Sequence, residues 1–137
     1  MAREPTFITR RRFLAAALLL GTGPARASEL FVIGNGIPGM SAEEVKEVFL
    51  GEVQFAGSLR LLPIDNAVVQ ADFLGRVLKM TPARYAATWT KKAFRDGLNA
   101  PPLKATDAEV IGFVKANPGA IGYVGAAPPG IQVLLKV

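Results

Sequence analysis

The chain of 137 residues contains no cysteine and no histidine. Without cysteine there is no disulfide, no thiolate nucleophile and no thiolate metal site. Without histidine the commonest general base and the commonest metal ligand are both missing. A domain built this way is held by its hydrophobic core alone. The chain is also short of charge clusters. Beyond residue 27 the only adjacent basic pair is Lys91-Lys92, and a lysine pair on a helix is ordinarily a solvated face.

What is present begins with a three-zone start. Met1 to Arg12 carries Arg3, Arg10, Arg11 and Arg12 against one acid, Glu4. Phe13 to Leu20 is an apolar run, and Gly21 to Ala27 ends in Ala25-Arg26-Ala27, an A-x-A cleavage pattern. The run falls far short of the ~20 residues of a bilayer-spanning helix. The expectation is an export signal over residues 1–27, cleaved after Ala27, with no stable membrane anchor afterwards and a periplasmic or otherwise extracytoplasmic location. Thr9-Arg10-Arg11-Arg12-Phe13-Leu14 resembles a twin-arginine signal, although a basic start serves the general secretion route too.

This segment holds five of the 16 basic residues and one of the 11 acidic ones, so residues 28–137 keep 11 and 10. The net charge of +5 is mostly a property of the leader. It gives no ground for a nucleic-acid partner.

Residues 28–137 read as one domain. At ~110 residues, a domain buries roughly 65% of its unfolded surface. Leu30 to Ile33, Leu59 to Ile64, Ala120 to Val124 and Ile131 to Val137 read as strands, the last with Ile131, Val133, Leu135 and Val137 on one face. Ser41-x-x-Glu44 is a capping box opening a helix to Leu50. Asp65 or Asn66 caps a second helix with Val69, Phe73, Val77 and Met80 on one face. Thr81-Pro82 starts a third, with Tyr85, Ala86, Trp89 and Ala93 as its stripe. Thr106-x-x-Glu109 opens a fourth, followed by Val110, Phe113 and Val114. The order β-α-β-α-α-α-β-β predicts an α/β domain with a mixed, mostly parallel sheet and helices packed on it. Val32, Val48, Phe49, Leu61, Phe73, Val77, Trp89, Phe113, Val114, Ile121 and Tyr123 are the expected core.

In such a sheet the crevice outside the strand carboxyl ends is the default ligand site. Three loops run into capped helices: Gly34 to Ser41, Asp65-Asn66-Ala67, and Lys104 to Asp107. If they converge, their free amides and helix dipoles make an anion site. Asn35, Gly36, Asp65, Asn66, Lys104 and Thr106 are the candidate ligand-binding residues. The competing reading is that the glycines only turn the chain and that Ser41 and Thr106 only cap. Asp65 is a lone carboxylate without a partner base, metal or nucleophile, and the serines lack a His or Lys neighbour. The expectation is therefore no enzymatic activity, no metal and no cofactor.

Two segments then suggest a family. Val48-Phe49-Leu50-Gly51 at a helix end, and Pro118-Gly119-Ala120-Ile121-Gly122-Tyr123-Val124 after a helix, are similar to segments of the phosphate-binding proteins, the extracytoplasmic receptors of phosphate ABC transporters. The resemblance runs from about Leu30 to Val124 and includes Trp89 to Pro102, a Trp-containing helix followed by a Gly/Pro-rich loop. It implies one lobe of a type II periplasmic binding protein, in a small single-domain branch. It also implies a small anion such as phosphate as ligand and a membrane transporter as partner. The hydroxyl- and glycine-rich phosphate loop of full receptors is replaced here by Ile64 to Gln70, where only Asp65 corresponds. The G-S/T loop after the first strand is replaced by Gly34-Asn35-Gly36. Two functions stay open: a binder of a small oxyanion or polar solute, and a ligand-free module that keeps the fold and serves a transporter or sensor.

Overall fold

The computed structural model describes residues 28–137. The expected export signal, residues 1–27, lies outside the described residues.

The described residues form eight short strands and four α-helices. Strands β1 (Phe31–Gly34), β2 (Phe55–Ala56), β3 (Leu59–Arg60), β4 (Leu62–Pro63), β5 (Asp65–Asn66), β6 (Leu103–Lys104), β7 (Ala120–Val124) and β8 (Gln132–Lys136) are joined by helices α1 (Ala42–Phe49), α2 (Gln70–Phe73), α3 (Pro82–Asp96) and α4 (Asp107–Ala116). A π-helical turn, Leu74–Leu78, continues α2.

The main sheet has the order β4-β7-β1-β8. β4 is parallel to β7, and β1 is antiparallel to both β7 and β8. The stretch from Leu62 to Ala67 uses both of its edges. Leu62 and Ile64 donate to Gly119 and Ile121 on the β7 side, while Asp65 and Ala67 donate to Pro102 and Lys104 on the β6 side. β5 and β6 are parallel, so β6, β4–β5, β7 and β8 all run one way and β1 alone runs against them. The mixed α/β domain is as expected. The mostly parallel sheet holds for strand direction, but β1, inserted between β7 and β8, makes both of its pairings antiparallel.

Two clusters fill the two faces. Val32, Ile121 and Tyr123 look toward α1, the π turn and α3, with Phe49, Phe73, Leu74 and Trp89 among their neighbours. Ile33, Ile64, Ala120 and Val124 look toward α4 and meet Val110 and Val114. β7 is buried on both faces, because its side chains alternate and both faces are covered. All the expected core residues are buried except Phe113, which is half-buried.

The helix starts follow local chemistry. Ser41 and Glu44 form the full reciprocal box, each side chain bonding the other's backbone N–H. Thr81 caps α3 with Pro82 behind it. Thr106 accepts from Glu109 N–H, but the Glu109 carboxylate goes to Ala105 N–H at 3.4 Å, so the second box is only half built. Neither Asp65 nor Asn66 caps α2. Both lie in β5, and α2 starts four residues later without a side-chain cap. Phe73, Leu74, Val77 and Leu78 are its buried residues, with Met80 past its end. On α3 only Tyr85 and Trp89 of the expected stripe are buried; Ala86 and Ala93 face water.

β8 differs from its pattern for a clear reason. Ile33 pairs with Val133 and Val32 with Leu135, so Leu134 is an extra residue in a bulge. The bulge puts Val133 and Leu135 on opposite faces and leaves Leu134 as the buried member.

Two glycines of the motif segments are required by geometry. Gly51 has φ +75°, and a Cβ there would stand 2.8 Å from the Trp89 ring. Gly119 has φ +87°, and a Cβ would come within 2.1 Å of the Arg60 carbonyl oxygen. At both positions an L side chain would be strained by the backbone conformation and would collide with its neighbours.

Candidate functional site

The carboxyl ends of β5, β6 and β7 meet the N-terminus of α4, which is where a ligand crevice is expected in a sheet of this kind. Asp65 and Asn66 are neighbours in β5, and their side chains leave on opposite faces. They therefore enter two separate networks.

Asn66 points toward α4 and is wholly buried. Its amide nitrogen donates to Asp107 Oδ1 at 2.7 Å and to the Tyr123 carbonyl at 2.9 Å. Its oxygen accepts from Val68 N–H at 3.0 Å, which turns the chain after β5. Asp107 is the first residue of α4, and its second oxygen accepts from Gly125 N–H at 3.0 Å, just past the end of β7. A carboxylate at this position is stabilised by the helix dipole. The chain thus places its own anion at the junction of three strand ends and one helix start. The donors an incoming anion would use, the Asn66 amide and the Gly125 N–H, already hold Asp107.

Asp65 points the other way, between the sheet and α3, and is 2% exposed. Its two oxygens accept from Tyr123 Oη at 2.7 Å and Tyr85 Oη at 2.8 Å. Burial pushes the Asp65 carboxyl above its ordinary value, while the hydrogen bonds from Tyr123, Tyr85 and Gln70 oppose the rise. Both tyrosine hydroxyls are pushed up, first by burial and then by the Asp65 charge, so they stay protonated as donors. Asp65, Tyr85 and Tyr123 are all buried, and among the described residues no buried side-chain polar atom lacks a partner.

The remaining candidates divide. Lys104 is half-buried at the end of β6, with its ammonium 5.1 Å from the centre of the Phe113 ring. Thr106 is exposed and accepts from Glu109 N–H. Asn35 and Gly36 lie at the other end of the same helix. Asn35 donates to the carbonyls of Val114 at 2.8 Å and Lys115 at 3.3 Å. It closes the C-terminus of α4, whereas Thr106 closes its N-terminus; ten residues at the helical rise put about 15 Å between them. Asn66, Lys104 and Thr106 are therefore brought to one corner; Asp65 adjoins it in the chain but turns its side chain to the other face, and Asn35 and Gly36 lie elsewhere. The reason is β1: because it runs antiparallel, its carboxyl end emerges at the opposite edge of the sheet. Asn35 and Gly36 line a hollow of about 240 Å³ with Lys115 and Gln132, where the helix end presents carbonyls rather than amides.

Asp107 and Gly125 are the residues that sequence reasoning passed over. An acid in the first turn is fully accounted for by the dipole, so nothing local marks Asp107 as filling a crevice. Among the described residues no group of three or more Asp and Glu is placed to hold a metal ion.

No protein-family model matches the sequence, and no curated protein matches it. The fold does have a solved counterpart. The chain is similar in structure to an ABC-type phosphate transport receptor from Vibrio cholerae, with a TM-score of 0.56 over 78% of this chain and 9% sequence identity. It spans 46% of that receptor's length. At this identity the likeness is one of fold alone, a mixed α/β domain.

Proposed function

We propose that this chain is an extracytoplasmic protein of the substrate-receptor type that does not capture a free anion and instead serves a membrane transporter or sensor by contact. The observation that carries this reading is Asp107. Its carboxylate takes up both the Asn66 amide and the Gly125 N–H, so the corner that helix α4 makes favourable for an anion is filled from within. The fold likeness supports the receptor type, and the leader over residues 1–27 supports export. No helix among the described residues is long and apolar enough to cross a membrane. The reading assigns the chain no enzymatic activity, because Asp65, the one buried carboxylate among the described residues, is taken up by the hydroxyls of Tyr85 and Tyr123.

A second reading is favoured by the solved receptor and by Lys104 beside the start of α4. In it the chain binds phosphate or a related oxyanion, and the Asp107 side chain swings away. Thermal unfolding of residues 28–137 with phosphate, sulfate and small carboxylates separates the two. A ligand at 100 times its Kd adds ~2.7 kcal/mol, a rise of about 10 °C or more for a domain of this size. The contact reading expects no rise beyond that of a matched chloride control. A specific rise with phosphate would establish the anion binder instead.

A further inference from the structure

Residues 28–137 are close to electrically neutral, with 11 basic and 10 acidic side chains, but the positive charge is gathered on one side. Lys46, Lys79, Arg84, Lys91, Lys92 and Arg95 line two surface grooves of about 600 and 360 Å³ that meet at Arg84 and Thr88. No carboxylate lines either groove. Arg95 pairs with Asp96, and Lys92 reaches the Leu50 carbonyl and Glu52. Lys46, Lys79, Arg84 and Lys91 make no ion pair with any described residue.

Three of the cations form a stripe along α3. Arg84, Thr88, Lys91 and Arg95 follow one another at i, i+4, i+7 and i+11, one face of a helix. Phe94 lies about 60° around the helix from Lys91 by helical geometry and is 93% exposed. Lys79 adds a second kind of observation. It is the one non-glycine described residue with positive φ, at +58°, a left-handed position that ends the π turn and that glycine occupies without steric penalty. A side chain kept in an unfavourable backbone conformation points to a demand on the side chain itself, and this one lines the basic groove.

We infer that this face docks on an anionic phospholipid surface, with the cations on the headgroup phosphates and Phe94 entering the interface. The inference is independent of whether Asp107 fills the crevice. The basic stripe spans Arg84 to Arg95 on a 15-residue helix, about 17 Å, and lies on its surface throughout. That form suits a broad charged surface better than one small anion, and a fully exposed aromatic beside it suits a headgroup layer better than water. Each cation close to such a surface strengthens binding about fivefold.

Co-sedimentation with vesicles tests this, using residues 28–137, which carry every described element and both core clusters. The protein is expected to bind phosphatidylcholine vesicles that contain phosphatidylglycerol, to ignore pure phosphatidylcholine, and to dissociate as salt is raised. Arg84→Gln with Lys91→Gln and Arg95→Gln should lower the partition coefficient about a hundredfold. Lys79→Gly should raise the unfolding temperature and yet lower partitioning about fivefold, opposite movements that a purely structural lysine would not produce. Phe94→Ser should weaken binding without changing its salt dependence. Equal binding to both vesicle types, or an unchanged triple variant, would overturn the inference. Displacement by inorganic phosphate at an ionic strength where chloride has no effect would replace it with a discrete anion site. Binding to polyglutamate but not to vesicles would replace it with an acidic protein partner.

Discussion

The two faces of the sheet are built for different ends. The face toward α1 and α3 carries the larger apolar cluster, with Phe73 stacked on Tyr123 at 3.7 Å between ring centres and Phe49 set edge-on to Phe73 at 4.9 Å. Trp89 ties α3 to the end of α1 by donating to the Phe49 carbonyl. The face toward α4 is a smaller cluster of buried aliphatic residues, with the half-buried aromatics Phe31 and Phe113 at its margin. Its distinguishing feature is polar, the Asn66–Asp107–Gly125 network at the strand ends. One strand, β5, supplies a buried polar residue to each face. The comparison teaches that stability is concentrated where the aromatics are, and that the corner where an α/β sheet ordinarily opens its ligand crevice is held by the thinner side.

The largest expected effect sets the faces directly against each other. Phe49→Ala should cost ~3–5 kcal/mol, a large part of a domain's stability. Phe113→Ala should cost only about 1–2 kcal/mol, because its side chain already meets water. Urea unfolding of both variants measures the gap. Equal costs would mean that the α4 face carries as much of the core as the other.

Next in size are the two polar networks. Asn66→Ala strips hydrogen bonds from Asp107, the Tyr123 carbonyl and Val68 N–H together, and should cost about 2–3 kcal/mol. Thr106→Ala removes only a cap and should cost about 1 kcal/mol. If the two substitutions cost the same, Asn66 is a cap as well and not the centre of a network.

The pH dependence sharpens the comparison further. Burial raises the Asp65 pKa above its unfolded value of about 3.8. The folded state therefore holds this proton more tightly than the unfolded chain does. The stabilisation from protonated Asp65 is complete below the unfolded pKa and is lost as pH rises through the folded one. The stability of wild type relative to Asp65→Asn should fall as pH is raised from about 3.8 toward neutrality, in denaturation curves taken at a series of pH values. A relative stability that rises over that window would show that the tyrosine hydrogen bonds outweigh burial.

Much of this was legible in local sequence. Ser41-x-x-Glu44, Thr81-Pro82 and the Pro118 to Val124 segment set helix and strand limits within a residue or so, because caps and strand alternation act over a few positions. The glycines of the motif segments also have local signatures, and the structure adds what surrounds them: the Trp89 ring at Gly51 and the Arg60 carbonyl at Gly119. Three features had no local signature. The π turn follows from tertiary packing of Leu74, Val77 and Leu78. The bulge at Leu134 depends on how β8 registers against β1. The direction of β1 decides which loops share an edge, and it removed Asn35 and Gly36 from the candidate site. The site was half legible for that reason. Asn66, Lys104 and Thr106 do gather at one corner while the Asp65 side chain turns to the other face, and the residue that fills the corner, Asp107, reads in sequence as an ordinary acidic first turn.

The central claim, that Asp107 occupies an anion site from within, is tested most directly by titrating phosphate calorimetrically into wild type and Asp107→Ala. Removing the carboxylate frees the Asn66 amide and the Gly125 N–H beside the N-terminus of α4. The account predicts no binding heat for wild type and weak, on the order of millimolar, binding for the variant, a Kd worth about 4 kcal/mol. Phosphate binding by wild type that the substitution leaves unchanged would contradict it.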